Sequence, residues 1–299
     1  RVLSSQFANP WISRQILEYL DAGHRVDALA IAPYFGNALG DPKNTLATLQ
    51  MNPEQLFDLC EKEIEHNHEM VATHAGMAAT YGLELLAYEG GQHLVGTRGA
   101  ENNETLTFLF HTMNRDPRMK RLYLKDLNGW HRAGGGIFIS FASTGSYNKW
   151  GSWGLLEHGF QDTDTAPKYQ AAQEYIQARE NHIASQRNTI QNTRSLHLSV
   201  ITDVGKVNAR KQAITSSESA LEATQAGYEV GTRNIVDVLD AQRFLFRSVR
   251  DYSNARYDYV INMLRLKQQA GTLTPQEIYG LSKWLAEPPA PAASTTPQG

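Results

Sequence analysis

The sequence predicts a mixed fold, in which a partial parallel α/β barrel of about three βα units precedes a long antiparallel α-helical coiled-coil hairpin. In residues 1–165, short apolar segments alternate with longer helical ones, whereas in residues 166–286 apolar side chains recur every seven positions. The composition changes at the same place, since four of the five Trp precede residue 165 and residues 168–270 contain no Pro.

Two segments and a tail are therefore predicted. The boundary between the segments is expected at 165–172, around the sequence DTDTAPKYQAAQ. From Glu287 onward the sequence EPPAPAASTTPQG is rich in Pro, Ala, Ser and Thr, so residues 287–299 are expected to be disordered. The expected division is thus 1–165, 166–286 and 287–299.

Charge and hydrophobicity exclude several classes of protein. The net charge of −3 at pH 7 gives no indication of a nucleic acid partner. No apolar run approaches the roughly 18 to 20 residues of a membrane-spanning helix.

The single cysteine, Cys60, cannot form an internal disulfide. The chain begins at Arg1 without an initiator Met or a signal peptide, so we expect it to be processed or truncated.

Strands and helices alternate in the first segment. The apolar stretches 26–36, 83–91 and 134–143 are predicted strands, and 53–81 and 102–127 are predicted helices between them. Strands joined through a helix run parallel, because a parallel neighbour needs a long crossover. In parallel sheets and barrels, functional residues gather at the carboxyl ends of the strands.

Four candidate site residues fall at these ends, namely Tyr34, Glu89, Trp150 and Trp153. A carboxylate followed by Trp-bearing loops suits a sugar site, because aromatic faces stack on pyranose rings while the carboxylate acts as the nucleophile. The strand order and the motif AYEGG at 87–91 resemble the last third of the (β/α)8 glycoside hydrolases, and of cellulose-binding proteins built on that fold. The resemblance implies that Glu89 is a nucleophile ending the seventh strand and that Tyr34, Trp150 and Trp153 bind substrate.

The alternative interpretation makes Glu89 a structural or solvated carboxylate and the Trp residues part of the core. Retaining hydrolysis also needs a second carboxylate roughly 5 to 5.5 Å from the first. In the family it ends the fourth strand, which would lie upstream of Arg1. Enzymatic activity is therefore uncertain, and no glycosidase activity is expected from this chain.

Three histidines, His66, His68 and His74, lie close together in the predicted helix 53–81. His66 and His68 would point about 200° apart on a helix, so they cannot share a face. We expect neither a metal site nor any other cofactor.

Apolar residues recur every seven positions in the second segment, which is typical of a coiled-coil seam. The rows are Ile176, Ile183 and Ile190; Val200, Val207, Ile214, Leu221 and Tyr228; and Leu245, Tyr252, Tyr259 and Leu266. They predict two helices, about 170–227 and 235–270, that bury these rows against each other or against neighbours.

The connection between the two helices is GYEVGTRNIVDVLDAQ, residues 227–242. Glycine permits the positive φ that ends a helix and reverses the chain. Thr232 or Asn234 can cap the returning helix, while Asp237 and Asp240 lie in its first turns, where the helix dipole favours negative charge. These two acidic residues can therefore be explained as stabilisers of a helix start.

A more specific interpretation comes from a family resemblance. The connection, followed by NARYDYVINMLRLKQQAGTL at 254–273, closely resembles the periplasmic end of TolC-family channels, and the resemblance runs from about Ala178 to Leu285. In that family three protomers form a channel whose long helical tunnel reaches into the periplasm. The resemblance implies that the connection lies at the tunnel's closed tip and that 274–285 contributes to a belt around its middle.

The resemblance also implies residue roles. Asp237 and Asp240 correspond to two acidic rings at the periplasmic entrance, where three copies of each would favour and bind cations. Tyr228 and Arg233 correspond to residues whose bonds hold the entrance shut. The surface that docks a periplasmic adaptor corresponds to Val230, Gly231 and Thr232.

Three functional hypotheses follow. The first is a component of a TolC-type outer-membrane efflux channel, truncated or chimeric, which would act as a homotrimer with a periplasmic adaptor and an inner-membrane pump once part of a complete channel. The second is a carbohydrate-binding or glycoside-hydrolase-like protein, and the third is a non-functional fusion of two fragments. The first implies the outer membrane and periplasm of a Gram-negative bacterium. The family's N-terminal hairpin and membrane strands are not recognised in 1–165, so this chain alone is expected not to span the membrane.

Overall fold

The computed structural model describes residues 1–282, which form parts of two compact units. The first unit is Arg1–Asn181, and the second begins at His182. The predicted tail 287–299 and the end of the predicted stretch 274–285 lie outside the described residues. Within residues 1–282, no helix combines the length and the apolar character needed to cross a membrane.

A parallel sheet organises the first unit. The strands of this unit are β1 (Val2–Ser4), β2 (Ala28–Ile31), β3 (Tyr34–Phe35), β4 (Glu84–Ala87), β5 (Gly91–Gln92), β6 (Gly135–Phe138), β7 (Ala142–Thr144) and β8 (Gly154–Leu156). The main sheet has the order β1-β2-β4-β6, with every pair parallel. The three predicted strands are therefore parallel neighbours, as predicted. The described strands form this open four-stranded sheet and two separate two-stranded sheets, β3-β5 and β7-β8, and not a closed barrel.

Helices connect the strands of this sheet. They are α1 (Pro10–Glu18), α2 (Thr45–Gln50), α3 (Pro53–Thr80), α4 (Glu104–Arg115) and α5 (Arg118–Arg132). The predicted helix 53–81 is confirmed as α3, which Asn52 caps through a reciprocal bond with Gln55. The predicted helix 102–127 is two helices, because Pro117 biases Asp116 to an extended backbone that ends α4.

One face of the main sheet packs against helices. Leu29, Ile31, Leu85 and Ala87 form a core with side chains of α1, α3 and α5, including the fully buried Trp130. A second core lies between α3, α4 and α5, around Phe57, Phe110 and Leu122. These two cores hold the carboxyl ends of the strands at a fixed position.

Helix α6 spans Pro167–Glu229 and begins inside the first unit. Ala166, Lys168 and Ala171 are all buried there, and Ala171 belongs to the core around Phe57. The first turns of α6 are thus part of the first unit's packing.

The second unit contains the rest of α6, together with α7 (Ile235–Gln269) and α8 (Pro275–Ser282). The predicted helices and the turn between them are confirmed. Val207 and Ile214 are partly buried while Lys206 and Lys211 are exposed, so this apolar row faces inward as predicted. Ile190 is 51% exposed, because α7 ends at Gln269 and the antiparallel pairing stops before it reaches this part of α6.

Candidate functional site

Glu89 lies two residues beyond the carboxyl end of β4. The phenol of Tyr34, at the start of β3, is within hydrogen-bonding reach of the Glu89 carboxylate. Burial, and then the negative charge of Glu89, raise the pKa of Tyr34 well above its usual range. Tyr34 therefore stays a neutral donor that can orient the carboxylate.

The Tyr34 ring belongs to an aromatic cluster with His93 and Trp153. The ring centroids of Tyr34, His93 and Trp153 lie 5.2–5.9 Å apart in edge-on contacts. Phe141 adds a contact to Trp153 at 5.4 Å. Burial lowers the pKa of His93, whose Nδ1 has no hydrogen-bond partner among the described residues. The structure thus places Tyr34 beside both Glu89 and Trp153.

Trp150 occupies a different position in this cluster. Its backbone carbonyl accepts a hydrogen bond from Trp153 Nε1 at 2.8 Å. Its ring is 63% exposed and lies under the ammonium of Lys149 at 4.8 Å. Trp150 is therefore a surface aromatic that positions Trp153 through the backbone.

A buried lysine lies behind the cluster. Lys168 is fully buried, donates to the Ser152 carbonyl at 2.5 Å and lies 4.7 Å from the centroid of the Tyr147 ring. Gln92 Nε2 donates to the same carbonyl at 2.9 Å. Burial lowers the pKa of Lys168 to about 7, with Glu157 opposing the shift.

A buried carboxyl group lies on α5. Asp126 is 3% exposed, and its Oδ2 has no hydrogen-bond partner among residues 1–282. Burial raises its pKa to about 8. Asp126 is thus mainly protonated at neutral pH. On the same helix, the His68 ring of α3 packs against Gly129, where an added Cβ would lie 1.8 Å from the ring.

The hairpin turn is closed by backbone hydrogen bonds. The Gly227 carbonyl accepts from the backbone N–H groups of Thr232 at 2.8 Å and Arg233 at 3.1 Å, and from the Thr232 hydroxyl at 2.9 Å. Gly231 has a φ of +77°, a conformation that glycine adopts without strain. Val230 is 74% exposed and Tyr228 48% exposed at this tip.

The two acidic residues of α7 have different local partners. Asn234 is the N-cap and forms a reciprocal capping box with Asp237, with bonds of 2.9 and 3.2 Å. Asp240 lies 3.5 Å from Arg243. In a single copy, Asp237 therefore stabilises the helix start.

A second, more polar row of side chains completes the seam between α6 and α7. Its members on α6 are Asp203, Ser217 and Thr224, and those on α7 are Ala241, Ser248, Ala255 and Asn262. Asn262 donates to Asp203 at 2.8 Å, and the hydroxyls of Ser217 and Ser248 lie 3.0 Å apart. At the rim, Lys206 pairs with Asp258 at 3.2 Å.

Sequence reasoning missed several of these residues. His93 follows the AYEGG motif closely, so its position four residues after Glu89 is the signal that could have found it. The polar row repeats every seven residues like its apolar neighbour, but a search for apolar periodicity does not detect it. Nothing in the local sequence marks Lys168 as buried.

Comparison with known proteins identifies the helical part. The model of the family described as "Outer membrane efflux protein" matches residues 165–272. "Outer membrane protein TolC" of Escherichia coli K12 is 40% identical over 129 residues, which is 43% of this chain and 25% of that protein. The TolC of Vibrio cholerae is 41% identical over 116 residues, 39% of this chain and 26% of that protein. "Proteases secretion protein PrtF" of Dickeya chrysanthemi is 27% identical over 125 residues, 42% of this chain and 27% of that protein.

The chain spans about a quarter of the length of the relatives it matches. Both TolC proteins are outer membrane proteins, in agreement with the predicted location. These relatives give no support to the resemblance of residues 1–165 to glycoside hydrolases. Within residues 165–272, the chain matches the outer membrane efflux protein family, which confirms the predicted resemblance for the helical hairpin.

Proposed function

We propose that the α6–α7 hairpin is a segment of the periplasmic helical tunnel of a TolC-type outer-membrane efflux channel. The observation that carries the proposal is the family match to residues 165–272, which coincides with the antiparallel hairpin and its turn. The complete channel would be a homotrimer working with a periplasmic adaptor and an inner-membrane pump.

In this proposal the hairpin turn forms the closed periplasmic entrance. Asp237 and Asp240 are three residues apart on α7, so both can face one axis. Three copies would place six carboxylates at one constriction, which favours bound cations. Tyr228 and Arg233 would hold the entrance shut. The exposed turn at Val230, Gly231 and Thr232 would dock the adaptor.

Single-channel conductance tests the acidic rings after residues 170–285 are grafted into a complete channel of the family. The test variant is Asp237→Asn/Asp240→Asn, because an Asn oxygen at 237 can still accept the capping hydrogen bond while the charge is lost. Divalent or trivalent cations should no longer block the conductance of this variant. Asp258→Asn, on the same helix but paired with Lys206, should leave block unchanged. Unchanged block in the double variant would show that the two acids only stabilise the helix start.

A second candidate function belongs to the first unit, and its support is that Tyr34 lies beside both Glu89 and Trp153. We propose a carbohydrate-binding site there, with Tyr34, Trp150 and Trp153 binding the sugar and Glu89 at the position that the nucleophile holds in the hydrolases this segment resembles. Calorimetric titration of the full chain with cello-oligosaccharides tests this carbohydrate site. Trp153→Ala should abolish binding and Trp11→Ala, at an exposed Trp on α1, should not. Absence of binding to the unaltered chain would refute this function.

The chimeric interpretation concerns how the two parts came together. We propose that residues 1–165 and 166–286 have separate origins, because only the second part carries the efflux family match. Genomic DNA reads that cross residues 160–175 test this. Reads that continue from either side into different genes would show an assembly artefact, whereas uniformly continuous reads would show a natural gene fusion.

A further inference from the structure

The backbone carbonyl of Ser152 accepts two buried hydrogen bonds in the first unit. Gln92 Nε2 donates to its oxygen at 2.9 Å and Lys168 Nζ at 2.5 Å. Gln92 and Ser152 are 1% exposed and Lys168 is fully buried. A carbonyl oxygen has two lone pairs, so these two donors satisfy it completely. The backbone at Ser152 is therefore held from two sides.

Gln92 ties this carbonyl to the short sheet that carries two of the clustered rings. It ends β5, whose backbone pairs with that of β3. Tyr34 begins β3, and His93 directly follows β5. The Gln92 amide is itself oriented, because its Oε1 accepts a hydrogen bond from the Leu94 backbone N–H at 2.6 Å. One of the two donors to Ser152 thus comes from the sheet on which Tyr34 and His93 lie.

Lys168 supplies the second donor from the first turn of α6. Ala171, on the same end of the helix, packs in the core around Phe57. Lys168 Nζ also lies 4.7 Å from the centroid of the Tyr147 ring, in the connection between β7 and β8 to which Ser152 belongs. Because this end of the helix is anchored in a core, it is a rigid support for the donor.

Trp153 directly follows Ser152, and its ring centroid lies 5.9 Å from that of Tyr34. We propose that Gln92 and Lys168 are positioning residues, which hold the Trp153 ring in place for sugar binding. Because both are buried, they act through the backbone of Ser152 and not through contact with the sugar. The inference rests on the proposed carbohydrate-binding function. It makes the first turn of α6, which lies inside the efflux family match, a support of that site.

Fluorine NMR of the full chain labelled with 5-fluorotryptophan tests the positioning without any ligand. Trp153→Phe assigns the Trp153 resonance, and the buried Trp130 reports on the core of the main sheet. Lys168→Met keeps an unbranched side chain but removes the donor. It should shift or broaden the Trp153 resonance while the Trp130 resonance stays in place. Gln92→Met, which removes the other donor, should have the same effect.

A core variant separates positioning from general destabilisation. Leu17→Ala leaves a cavity in the core around Trp130 and should not change the Trp153 resonance. A Trp153 resonance that is unaffected by both Lys168→Met and Gln92→Met would overturn the proposal. An equal change of that resonance in Leu17→Ala would overturn it as well.

Calorimetric titration with cellotetraose measures the consequence for binding. Lys168→Met and Gln92→Met should each weaken binding by about two- to tenfold, because a loosened loop populates the binding conformation less. If the parent chain binds and both variants bind equally well, the inference is wrong. If the parent chain does not bind, the carbohydrate function is refuted, whereas the fluorine spectra still decide whether the two residues hold Trp153 in place.

Discussion

The hydroxyl oxygens of Ser217 and Ser248 lie 3.0 Å apart inside the α6–α7 seam, and the two residues are 2% and 8% exposed. Each hydroxyl also lies against the carbonyl four residues earlier, Ser217 against Ala213 at 2.6 Å and Ser248 against Phe244 at 3.1 Å. The small side chains of Ser217 and Ser248 let the two helices approach closely. The close approach therefore limits the size of the side chains at these two positions, in addition to favouring their hydrogen bond.

A larger side chain at this level should separate the helices. Ser217→Leu is expected to destabilise the hairpin by about 1–3 kcal/mol through overpacking, whereas Ser217→Ala should cost about 0.5–1.5 kcal/mol. Hydrogen exchange of the α6 and α7 amides measures the loss of protection. Ser219→Leu, at an exposed position two residues away, is the control and should change little. Equal effects of the two leucine variants would contradict close packing at Ser217.

The Asp203–Asn262 pair should behave non-additively. Asn262→Leu leaves a carboxylate that is 7% exposed without its donor, at an expected cost of about 1.5–3 kcal/mol. Asp203→Leu/Asn262→Leu replaces both partners by apolar groups and should recover most of that loss. A double-mutant cycle by hydrogen exchange measures the coupling. Additive costs would mean that the pair contributes nothing beyond its separate side chains.

Lys168 should make the first unit less stable at neutral pH than at high pH. Its pKa is about 7 in the folded protein and 10.5 without burial, so the unfolded chain binds the extra proton. Stability should therefore rise between pH 7 and 10.5, with the full penalty present below pH 7. Lys168→Met should stabilise the first unit at pH 7 by on the order of 2 kcal/mol, after the loss of the bond to Ser152.

Urea unfolding followed by tryptophan fluorescence measures this, because four of the five Trp lie in residues 1–165. Lys62→Met, at an exposed position on α3, is the matched control and should keep the unaltered pH profile. A Lys168→Met variant that is less stable than the parent at pH 7 would show that the buried ammonium is fully compensated.

Asp126 should produce the opposite pH dependence. Its pKa is about 8 when folded and 3.8 without burial, so the folded state holds the extra proton and stability falls as pH rises from about 4 to 8. Asp126→Asn should match the parent near pH 4 and exceed its stability above pH 8 by on the order of 3 kcal/mol. The same unfolding assay applies, with the exposed Asp58→Asn as control. A constant difference across this range would exclude titration of Asp126.

Periodicity and strand order predict much of this architecture. The interval of seven places Leu245, Tyr252 and Tyr259 toward the seam, because an apolar stripe can be buried only against a partner helix. The alternation of strands and helices predicts the parallel pairing of β2, β4 and β6, because two strands joined through a helix can lie side by side only in parallel. The convergence of Tyr34 and Glu89 follows from their positions at neighbouring strand ends.

The remaining features depend on tertiary contacts. The three-residue strand β1 has no periodic signal of its own and exists through its pairing with β2. Lys168 and Asp126 belong to residue types that are rarely buried, so only the packing around them reveals their environment. The capping box joins Asn234 to Asp237, although Thr232 suits an N-cap equally well by sequence.

The burial of Ala166, Lys168 and Ala171 has a consequence for how this protein can be dissected. A cut at residue 165, where the efflux family match begins, would remove side chains from the core of the first unit. A separately expressed first unit should therefore extend to Asn181, and a separately expressed hairpin should start after it. The family match begins at residue 165 and the first compact unit ends at Asn181, so residues 165–181 belong to both.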